Sequence, residues 1–429
     1  MKQFVIIGNS AAGIAATEAI RQRDKTSKII VISDEDYYAY CRCLISYYLA
    51  GELKEEMILY RSKDFYENNN IELYLNRRVL RVDAKKNHIV FEDKSKLGFD
   101  VLLVATGARP KFPEIKGIKK NGVFGFRTIK DAKQLSGLLP VTKTACVLGG
   151  GLVGLKVADA LRKRNTEVKV IVKSKQILSQ MLDIEAAHLL QERLESNGID
   201  VILGQDVTEI IGNGDIKAVK LDSGKIFGCS MVVVAKGVSP NIEIIKEAGL
   251  KFNEGILCDN FMQTTVPSIY AAGDVCESFD ITLGKTTVNA IWPIAVEQGR
   301  IAGLNMAGDK LEYVGSVGMN SIEFFGLPAI SLGVYKVKEE ERKAFEELVY
   351  LDRKAKVYKK LVLKDDILLG AVLVGDIKNS GLYLRIIKER IKVSDFKHKL
   401  LRENFGYLDI MHHLKEKENL YIHRSKAYV

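Results

Sequence analysis

The chain has 429 residues and a formal net charge of +10, with 47% hydrophobic and 28% charged residues. That balance is typical of a globular protein, and the length favours two or three domains. The basic residues are dispersed among acids without a nucleic-acid-binding signature, which disfavours nucleic acid as a partner. No apolar run is long enough to span a bilayer, and the apolar start is too short for a signal peptide, so we expect a cytoplasmic protein without a membrane span.

The first predicted βα unit covers residues 4–20 and has a glycine turn between an apolar strand and a small-residue helix. The turn matches the dinucleotide-binding fingerprint with serine as its middle residue, and it would let a pyrophosphate approach the backbone and the helix N-terminus. The predicted contacts are Gly8, Ser10, Ala11, Ala12 and Gly13. A second strand over residues 28–33 precedes Asp34 and Glu35, one of which should accept hydrogen bonds from ribose hydroxyls.

A second βα unit over residues 144–161 carries a complete glycine fingerprint, so the sequence predicts a second dinucleotide. Its predicted contacts are Gly149, Gly151, Leu152, Val153 and Gly154. A third strand, within residues 269–275, ends at Gly273 and Asp274. There the backbone can close on a ligand while the carboxylate takes a sugar or ribityl hydroxyl.

The pattern changes after about residue 310, where apolar and polar residues alternate. Residues 357–363 and 367–374 are predicted to be antiparallel strands joined by a short turn. Helical patterns follow over residues 381–390 and 394–403. These features indicate a separate α+β domain at the C-terminal end.

The six cysteines form neither a disulfide framework nor a metal-binding pattern. Four of them are isolated in the sequence: Cys146, Cys229, Cys258 and Cys276. Cys41 and Cys43 stand one residue apart. A disulfide between these two is disfavoured because a single intervening residue strains the bridge.

The order of these motifs resembles the two-dinucleotide flavoproteins, the pyridine nucleotide–disulfide oxidoreductases in the broad sense. Residues 105–110 resemble the family's first crossover between domains, and residues 235–241 resemble the crossover back. The resemblance implies an α/β fold with two Rossmann-like domains, one for FAD and one for NAD(P), and a C-terminal α+β interface domain that usually forms a homodimer. The crossover residues assigned to cofactor are Ala105, Thr106 and Gly107 for FAD and Gly237 for NAD(P).

The domain boundaries follow from the same resemblance. FAD is expected to bind residues 1–112 and 240–310, and NAD(P) residues 113–239, with residues 311–429 as the interface domain. Residues 289–300 resemble the last FAD segment, in which a helix starting near Pro293 would direct its N-terminus at the flavin. Trp292 and Glu297 are assigned to the flavin site on this basis, with core packing as the alternative for the tryptophan.

Two branches of the family resemble the segment around Cys43. The rubredoxin, ferredoxin and nitrite reductase type matches at Tyr40, Arg42 and the residues after Cys43, although that group often has proline at the cysteine. The single-cysteine branch of NADH oxidases and coenzyme A-disulfide or persulfide reductases aligns its redox cysteine with Cys43. The first branch is the closer one because the glycine and proline of the second are missing.

Cys43 therefore has two interpretations. As a redox thiol it would have a pKa lowered by a helix N-terminus and by Arg42, and it could attack a disulfide or cycle through a sulfenic acid. As a structural residue it would pack near the flavin ring like a small apolar side chain. Arg42 itself is expected to contact phosphate or flavin, because a guanidinium group matches pyrophosphate oxygens.

The expected function is electron transfer from NAD(P)H through FAD to a protein carrier such as rubredoxin, ferredoxin or another iron–sulfur protein. The alternative is a thiol-dependent NAD(P)H oxidase or coenzyme A-disulfide or persulfide reductase that uses Cys43. The basic net charge favours an acidic iron–sulfur carrier as the partner. NADPH is favoured over NADH because Lys173 and Lys175 follow the second strand of the middle domain, where NADH-selective relatives have an acid.

Overall fold

A computed structural model of the chain describes residues 2–414. The chain divides into two compact units. The first unit comprises Met1–Lys175, Gly198–Asp280 and Gly284–Ser316, and the second comprises Gln176–Asn197, Ile281–Leu283 and the described residues from 317 onward.

Residues 2–406 contain eight α-helices, and strands and helices are numbered along the chain. The helices are α1 (Ala11–Arg23), α2 (Ile45–Ala50), α3 (Phe65–Asn68), α4 (Ile129–Leu138), α5 (Leu152–Lys163), α6 (Ile184–Glu195), α7 (Trp292–Met306) and α8 (Ser380–Lys388). No helix in the described part of the chain is long and apolar enough to cross a membrane.

Two five-stranded parallel sheets of Rossmann type form the centre of the first unit. One has the order β19-β7-β1-β2-β3, with β1 (Gln3–Ile7), β2 (Lys28–Ile32), β3 (Ile71–Tyr74), β7 (Val101–Val104) and β19 (Ile269–Ala271). The other has the order β12-β11-β10-β16-β9, with β9 (Val123–Phe124), β10 (Thr144–Leu148), β11 (Glu167–Val172), β12 (Ile199–Leu203) and β16 (Met231–Val234). Their inner strands are buried on both faces, as continuous apolar runs predict.

Short antiparallel segments complete the first unit. The two predicted crossovers pair with each other as β8 (Ala108–Pro110) and β17 (Val238–Pro240), with Ser239 opposite Arg109. Two three-stranded antiparallel sheets consist of β4 (Val79–Asp83), β5 (His88–Phe91) and β6 (Lys96–Gly98), and of β13 (Val207–Asn213), β14 (Asp215–Leu221) and β15 (Ile226–Gly228). A mixed three-stranded sheet consists of β18 (Ile256–Leu257), β20 (Cys276–Asp280) and β21 (Lys285–Thr287).

The second unit contains a five-stranded antiparallel sheet of order β22-β23-β26-β25-β24. Its strands are β22 (Met319–Phe324), β23 (Leu327–Gly333), β24 (Glu346–Asp352), β25 (Val357–Lys364) and β26 (Ile367–Val374). The predicted hairpin between β25 and β26 is confirmed, and Asp365 and Asp366 at its tip both have positive φ, as a type I′ turn requires.

The predicted helix over residues 381–390 is confirmed as α8, whereas the predicted helix over residues 394–403 is wrong. That segment contains only a 3-10 turn, Lys397–Lys399. Its residues have partners distant in sequence, which compete with helical hydrogen bonding. The Tyr383 hydroxyl donates to the Leu400 carbonyl at 2.6 Å, and the Phe396 ring stacks on Phe405.

Helix α6 belongs to the second unit although its sequence lies between strands of the second parallel sheet. Asp183 caps this helix by accepting from the Ala186 amide, and it also accepts from the Tyr358 hydroxyl at 2.6 Å. The buried Lys360 ammonium lies 3.3 Å from Asp183 and 2.8 Å from Glu347. Because a buried charge needs such partners, these carboxylates tie α6 to the C-terminal sheet. Residues 113–239, which were assigned to NAD(P), therefore include a helix of the second unit, and their binding of NAD(P) stays a prediction.

Candidate active site

The first glycine turn has the geometry that its fingerprint predicts. Gly8 follows β1 with φ +127°, and a Cβ added to it would lie 2.1 Å from the carbonyl oxygen of Ala105. A Cβ added to Gly13 would lie 1.9 Å from the Gly8 carbonyl oxygen. Ser10 caps α1 with extended backbone. Only glycine permits this approach of helix to strand, which directs the first turn of α1 to the end of the sheet.

Helix α7 packs directly on α1 at the same end of the sheet. A Cβ at Gly299 would lie 2.2 Å from the Ala12 carbonyl oxygen. The helix begins at Trp292, next to the predicted Pro293, and the half-buried indole meets the Tyr60 ring edge-to-face with centroids 5.0 Å apart. The close contact of the two helices brings the start of α7 to the first glycine turn.

The two candidate ribose ligands differ in their surroundings. Glu35 accepts from the Tyr40 hydroxyl at 2.7 Å and forms an ion pair with Arg42, so both its carboxylate oxygens have partners in the protein. Asp34 is exposed. Arg42 also donates to the Arg127 carbonyl oxygen at 3.0 Å. Asp34 therefore suits a ribose better than Glu35. The Arg42 guanidinium group is held by Glu35 and the Arg127 carbonyl oxygen, and its contact with phosphate or flavin stays a prediction.

Arg127 is a site residue that the sequence analysis missed. Its Nη2 lies 2.5 Å from Oδ2 of Asp274, and the two side chains are only 22% and 13% exposed. Its Nε is buried and has no hydrogen-bond partner among the described residues. The sequence pattern that could have indicated this position is the capping box of Thr128 and Asp131, which starts α4 immediately after Arg127.

Cys43 lies in the 3-10 turn Arg42–Leu44, where it is exposed and forms no disulfide. The predicted lowering of its pKa is wrong. The interaction with the neighbouring Cys41 thiol, and then desolvation, raise the pKa of Cys43 well above its usual range, against the opposing charge of Arg127. Arg42 does not act on this thiol because its guanidinium group is turned to Glu35.

The second glycine turn repeats the first. Gly149 has φ +122°, and a Cβ there would lie 2.3 Å from the Ala235 carbonyl oxygen. A Cβ at Gly154 would lie 2.1 Å from the Gly149 carbonyl oxygen. Gly151 caps α5, whose first residues are the predicted Leu152 and Val153.

Three lysines lie around the end of the second sheet. Lys173 and Lys175 follow β11 and are both exposed. Lys236, which precedes the predicted Gly237, forms an ion pair with Asp206. Lys173 and Lys175 therefore have exposed ammonium groups at the strand end where the 2′-phosphate of NADPH would bind.

Comparisons with known proteins agree with this architecture. Residues 2–299 match the family described as pyridine nucleotide-disulphide oxidoreductase, and residues 319–391 match the rubredoxin NAD+ reductase C-terminal domain. The chain is 34% identical over 392 residues to the assimilatory nitrate reductase electron transfer subunit of Bacillus subtilis, covering 91% of this chain and 50% of that protein. It thus spans half the length of that relative.

Two further proteins match most of the chain. The NADH oxidase of Methanocaldococcus jannaschii is 35% identical over 349 residues, which is 78% of each protein. The solved structure of an NAD-dependent persulfide reductase from A. fulgidus has a TM-score of 0.85 and 27% identity, and the match covers 94% of this chain and 79% of that one. The chain belongs to the pyridine nucleotide-disulphide oxidoreductase family, a family of NAD(P)H-dependent flavoprotein oxidoreductases.

Proposed function

We propose that this protein takes hydride from NAD(P)H onto FAD and passes electrons to a protein carrier such as rubredoxin, ferredoxin or another iron–sulfur protein. The observation that carries the proposal is the C-terminal match to the rubredoxin NAD+ reductase domain over residues 319–391. The name of the Bacillus relative, an electron transfer subunit, supports it. Bound FAD supplies the exchange between hydride and single electrons, and the protein supplies position and electrostatics.

The chain's own residues fit both cofactors. The turns at Gly8 and Gly149 leave no room for a Cβ atom, and their backbones suit two pyrophosphates. We therefore assign FAD to residues 1–112 and 240–310 and NAD(P) to residues 113–239. Asp274 would accept from the ribityl chain, and the buried Nε of Arg127 is a donor available to the flavin site. We assign dimerisation to residues 311–429, of which 415–429 lie outside the described residues.

The direct test is anaerobic reduction followed by transfer to a carrier. NAD(P)H should bleach the flavin absorbance, and the reduced enzyme should then reduce purified rubredoxin or ferredoxin in single-electron steps. The Cys43→Ser variant should match the wild type in this assay, since flavin-to-carrier transfer needs no thiol. Flavin reduction without transfer to any iron–sulfur carrier would contradict the proposal.

Reduction of an acidic iron–sulfur protein should depend strongly on salt. The chain carries a formal charge of +10, and exposed charges are screened beyond about 8 Å at physiological ionic strength. We expect the second-order rate constant to fall roughly tenfold between low and high salt, because steering is lost. Reduction of menadione, a neutral acceptor, serves as the control and should change little. Equal salt dependence for both acceptors would argue against electrostatic docking.

NADPH should be preferred over NADH, and Lys173→Glu should reverse that preference. Two exposed ammonium groups, on Lys173 and Lys175, suit a 2′-phosphate, whereas a carboxylate would repel it and accept from ribose hydroxyls. We expect the ratio of kcat/KM values to shift roughly tenfold or more toward NADH. Lys251→Glu is the matched control, because it makes the same change of charge at an exposed lysine in another segment. A wild type that prefers NADH would disprove the assignment.

A thiol-dependent oxidase or reductase that uses Cys43 is the second candidate. Cys43 is exposed in the turn Arg42–Leu44, which a hydrogen bond from Arg42 joins to the Arg127 carbonyl oxygen, and the Arg127 side chain pairs with Asp274. The NADH oxidase and persulfide reductase relatives favour this candidate. Against it, the raised pKa of Cys43 leaves the isolated thiol protonated and a weak nucleophile.

A further inference from the structure

A buried glutamine of helix α7 binds the backbone at the point where strand β19 ends. The hydrogen bonds between β7 and β19 continue to Ala272, whose amide donates to the Val104 carbonyl oxygen at 3.2 Å. The next amide, that of Gly273, donates to Oε1 of the Gln298 side chain at 2.8 Å. Because a buried amide without a partner is costly, Gln298 takes the place of a neighbouring strand at this position.

The other end of the same side chain reaches strand β20. Nε2 of Gln298 donates to the Ser278 hydroxyl at 3.0 Å, and both side chains are buried. The Gly273 amide can only donate, which fixes the carbonyl end of the glutamine on it. Between the two contacts the chain turns, and the Cys276 amide donates to the Gly273 carbonyl oxygen at 2.8 Å. Gln298 therefore ties both ends of the turn 273–278 to α7.

Gly273 also lies between two helices. It has φ +81°, and a Cβ there would lie 3.1 Å from the Cβ of Ala12 in α1 and 3.5 Å from the Cβ of Ala295 in α7. Asp274 follows directly, and its carboxylate pairs with Arg127 at 2.5 Å. The direction of the Asp274 side chain thus depends on where the Gly273 peptide is held.

We propose that Gln298 is a positioning residue for FAD, which orients the turn that carries Asp274 relative to the start of α7. The inference rests on the proposed binding of FAD to residues 1–112 and 240–310 and of its ribityl chain to Asp274. The start of α7 and the Asp274 carboxylate are both assigned to the flavin, and one side chain joins them. Gln298 acts through Asp274 and not by contact with the flavin.

The need for such a residue follows from the cost of ordering a binding group. A ligand gains most from a hydrogen-bonding partner that is already held in its bound orientation, because ordering a mobile turn reduces the binding free energy. Gly273 is the most flexible type of residue and lies immediately before Asp274. Two hydrogen bonds from a packed helix restrain this turn before the ligand arrives.

A double-mutant cycle in FAD affinity tests whether Gln298 acts through Asp274. Gln298→Met keeps a side chain of similar length and removes both hydrogen bonds. We expect it to raise the dissociation constant for FAD roughly tenfold in the wild-type background, and by less than about threefold in an Asp274→Ala background. Equal losses in the two backgrounds would show a general structural role and overturn the proposal.

Asn305→Leu is the matched control, because it removes another buried amide from the same helix. The Asn305 side chain donates to the carbonyl oxygens of Phe261 and Leu311, both at 2.9 Å. This variant should lower the unfolding temperature of the apoprotein while its FAD affinity stays within about threefold of wild type. If it weakens FAD binding as much as Gln298→Met does, any disturbance of α7 has this effect, and the specific role is wrong.

Gln298→Glu tests the two hydrogen bonds at nearly constant shape. Burial raises the pKa of such a carboxyl group, and its protonated form offers the same acceptor and donor as the amide. Relative to wild type at each pH, FAD affinity should be roughly tenfold lower at about pH 8 and should recover toward about pH 6. The wild-type values correct for titration of Asp274, Glu277 and the FAD phosphates.

A relative affinity of Gln298→Glu that does not change with pH would contradict the proposal, and this measurement stands even if Gln298→Met fails to fold. The two levels of the argument fail differently. A wild-type apoprotein that takes up no FAD would disprove the cofactor assignment of the proposed function. Normal uptake by wild type, with no coupling between Gln298 and Asp274, would disprove only the positioning role.

Discussion

Replacing Gly149 with alanine should leave FAD bound and slow the reduction of flavin by NAD(P)H roughly 100-fold, which corresponds to about 2.7 kcal/mol. Gly149 has φ +122°, and an added Cβ would lie 2.3 Å from the Ala235 carbonyl oxygen. The β10–α5 turn would have to open, which moves the start of α5 away from the pyrophosphate position. Because the turn belongs to the second sheet, the first glycine turn stays intact.

Flavin content by absorbance and single-turnover reduction by stopped flow measure the two parts of this expectation. Gly137→Ala is the matched control, since nothing lies within 4 Å of a Cβ there and its backbone does not have positive φ. The control should retain both flavin and rate. A Gly149→Ala variant that is reduced at the wild-type rate would show that the second turn does not bind the nicotinamide cofactor.

Replacing Asp274 with alanine should raise the dissociation constant for FAD roughly 10- to 100-fold. A hydrogen bond to a charged group contributes about 1.5–3 kcal/mol, and the ribityl chain would lose such a partner. The same change leaves the partly buried guanidinium of Arg127 without its carboxylate, which adds a loss of protein stability. Equilibrium dialysis of the apoprotein measures the affinity, and thermal unfolding without flavin measures the second effect.

Asp309→Ala is a suitable comparison for Asp274→Ala. Asp309 forms a more exposed ion pair with Arg23 at 2.9 Å, and exposed pairs contribute little to stability. It should change neither flavin affinity nor unfolding temperature by a measurable amount. If Asp274→Ala retains wild-type affinity for FAD, the assigned ribityl contact is wrong.

Features encoded within a few consecutive residues could be predicted from the sequence. Gly13 and Gly154 each pack on the glycine that opens their own βα turn, Gly8 and Gly149 respectively, and the hairpin at Asp365 needs only its own two residues. Arg127 escaped notice because its partner Asp274 is 147 residues away. A local pattern can mark the start of α4, but it does not report which carboxylate faces the arginine.

The pKa of Cys43 shows the same limit. The sequence analysis expected the neighbouring Arg42 to lower the pKa of Cys43. In the fold, Glu35 neutralises the charge of Arg42. The four cysteines that look isolated in sequence come from two pairs of neighbouring strands. Cys146 lies in β10 and Cys229 just precedes its neighbour β16, while Cys258 just follows β18 and Cys276 begins its neighbour β20. Spacing in the chain could not indicate them, because each pair is formed by neighbouring strands or segments of a sheet.

The attachment of α6 to the C-terminal sheet restricts how this gene can be recombined. The chain passes between its two compact units five times, after Lys175, Asn197, Asp280, Leu283 and Ser316. A truncation after Ser316 would remove β22 and β26, on which α6 packs, and would expose its buried leucines. The C-terminal region therefore cannot be removed or replaced by itself. A chimaera with a different C-terminal region would also need the α6 that belongs to that region.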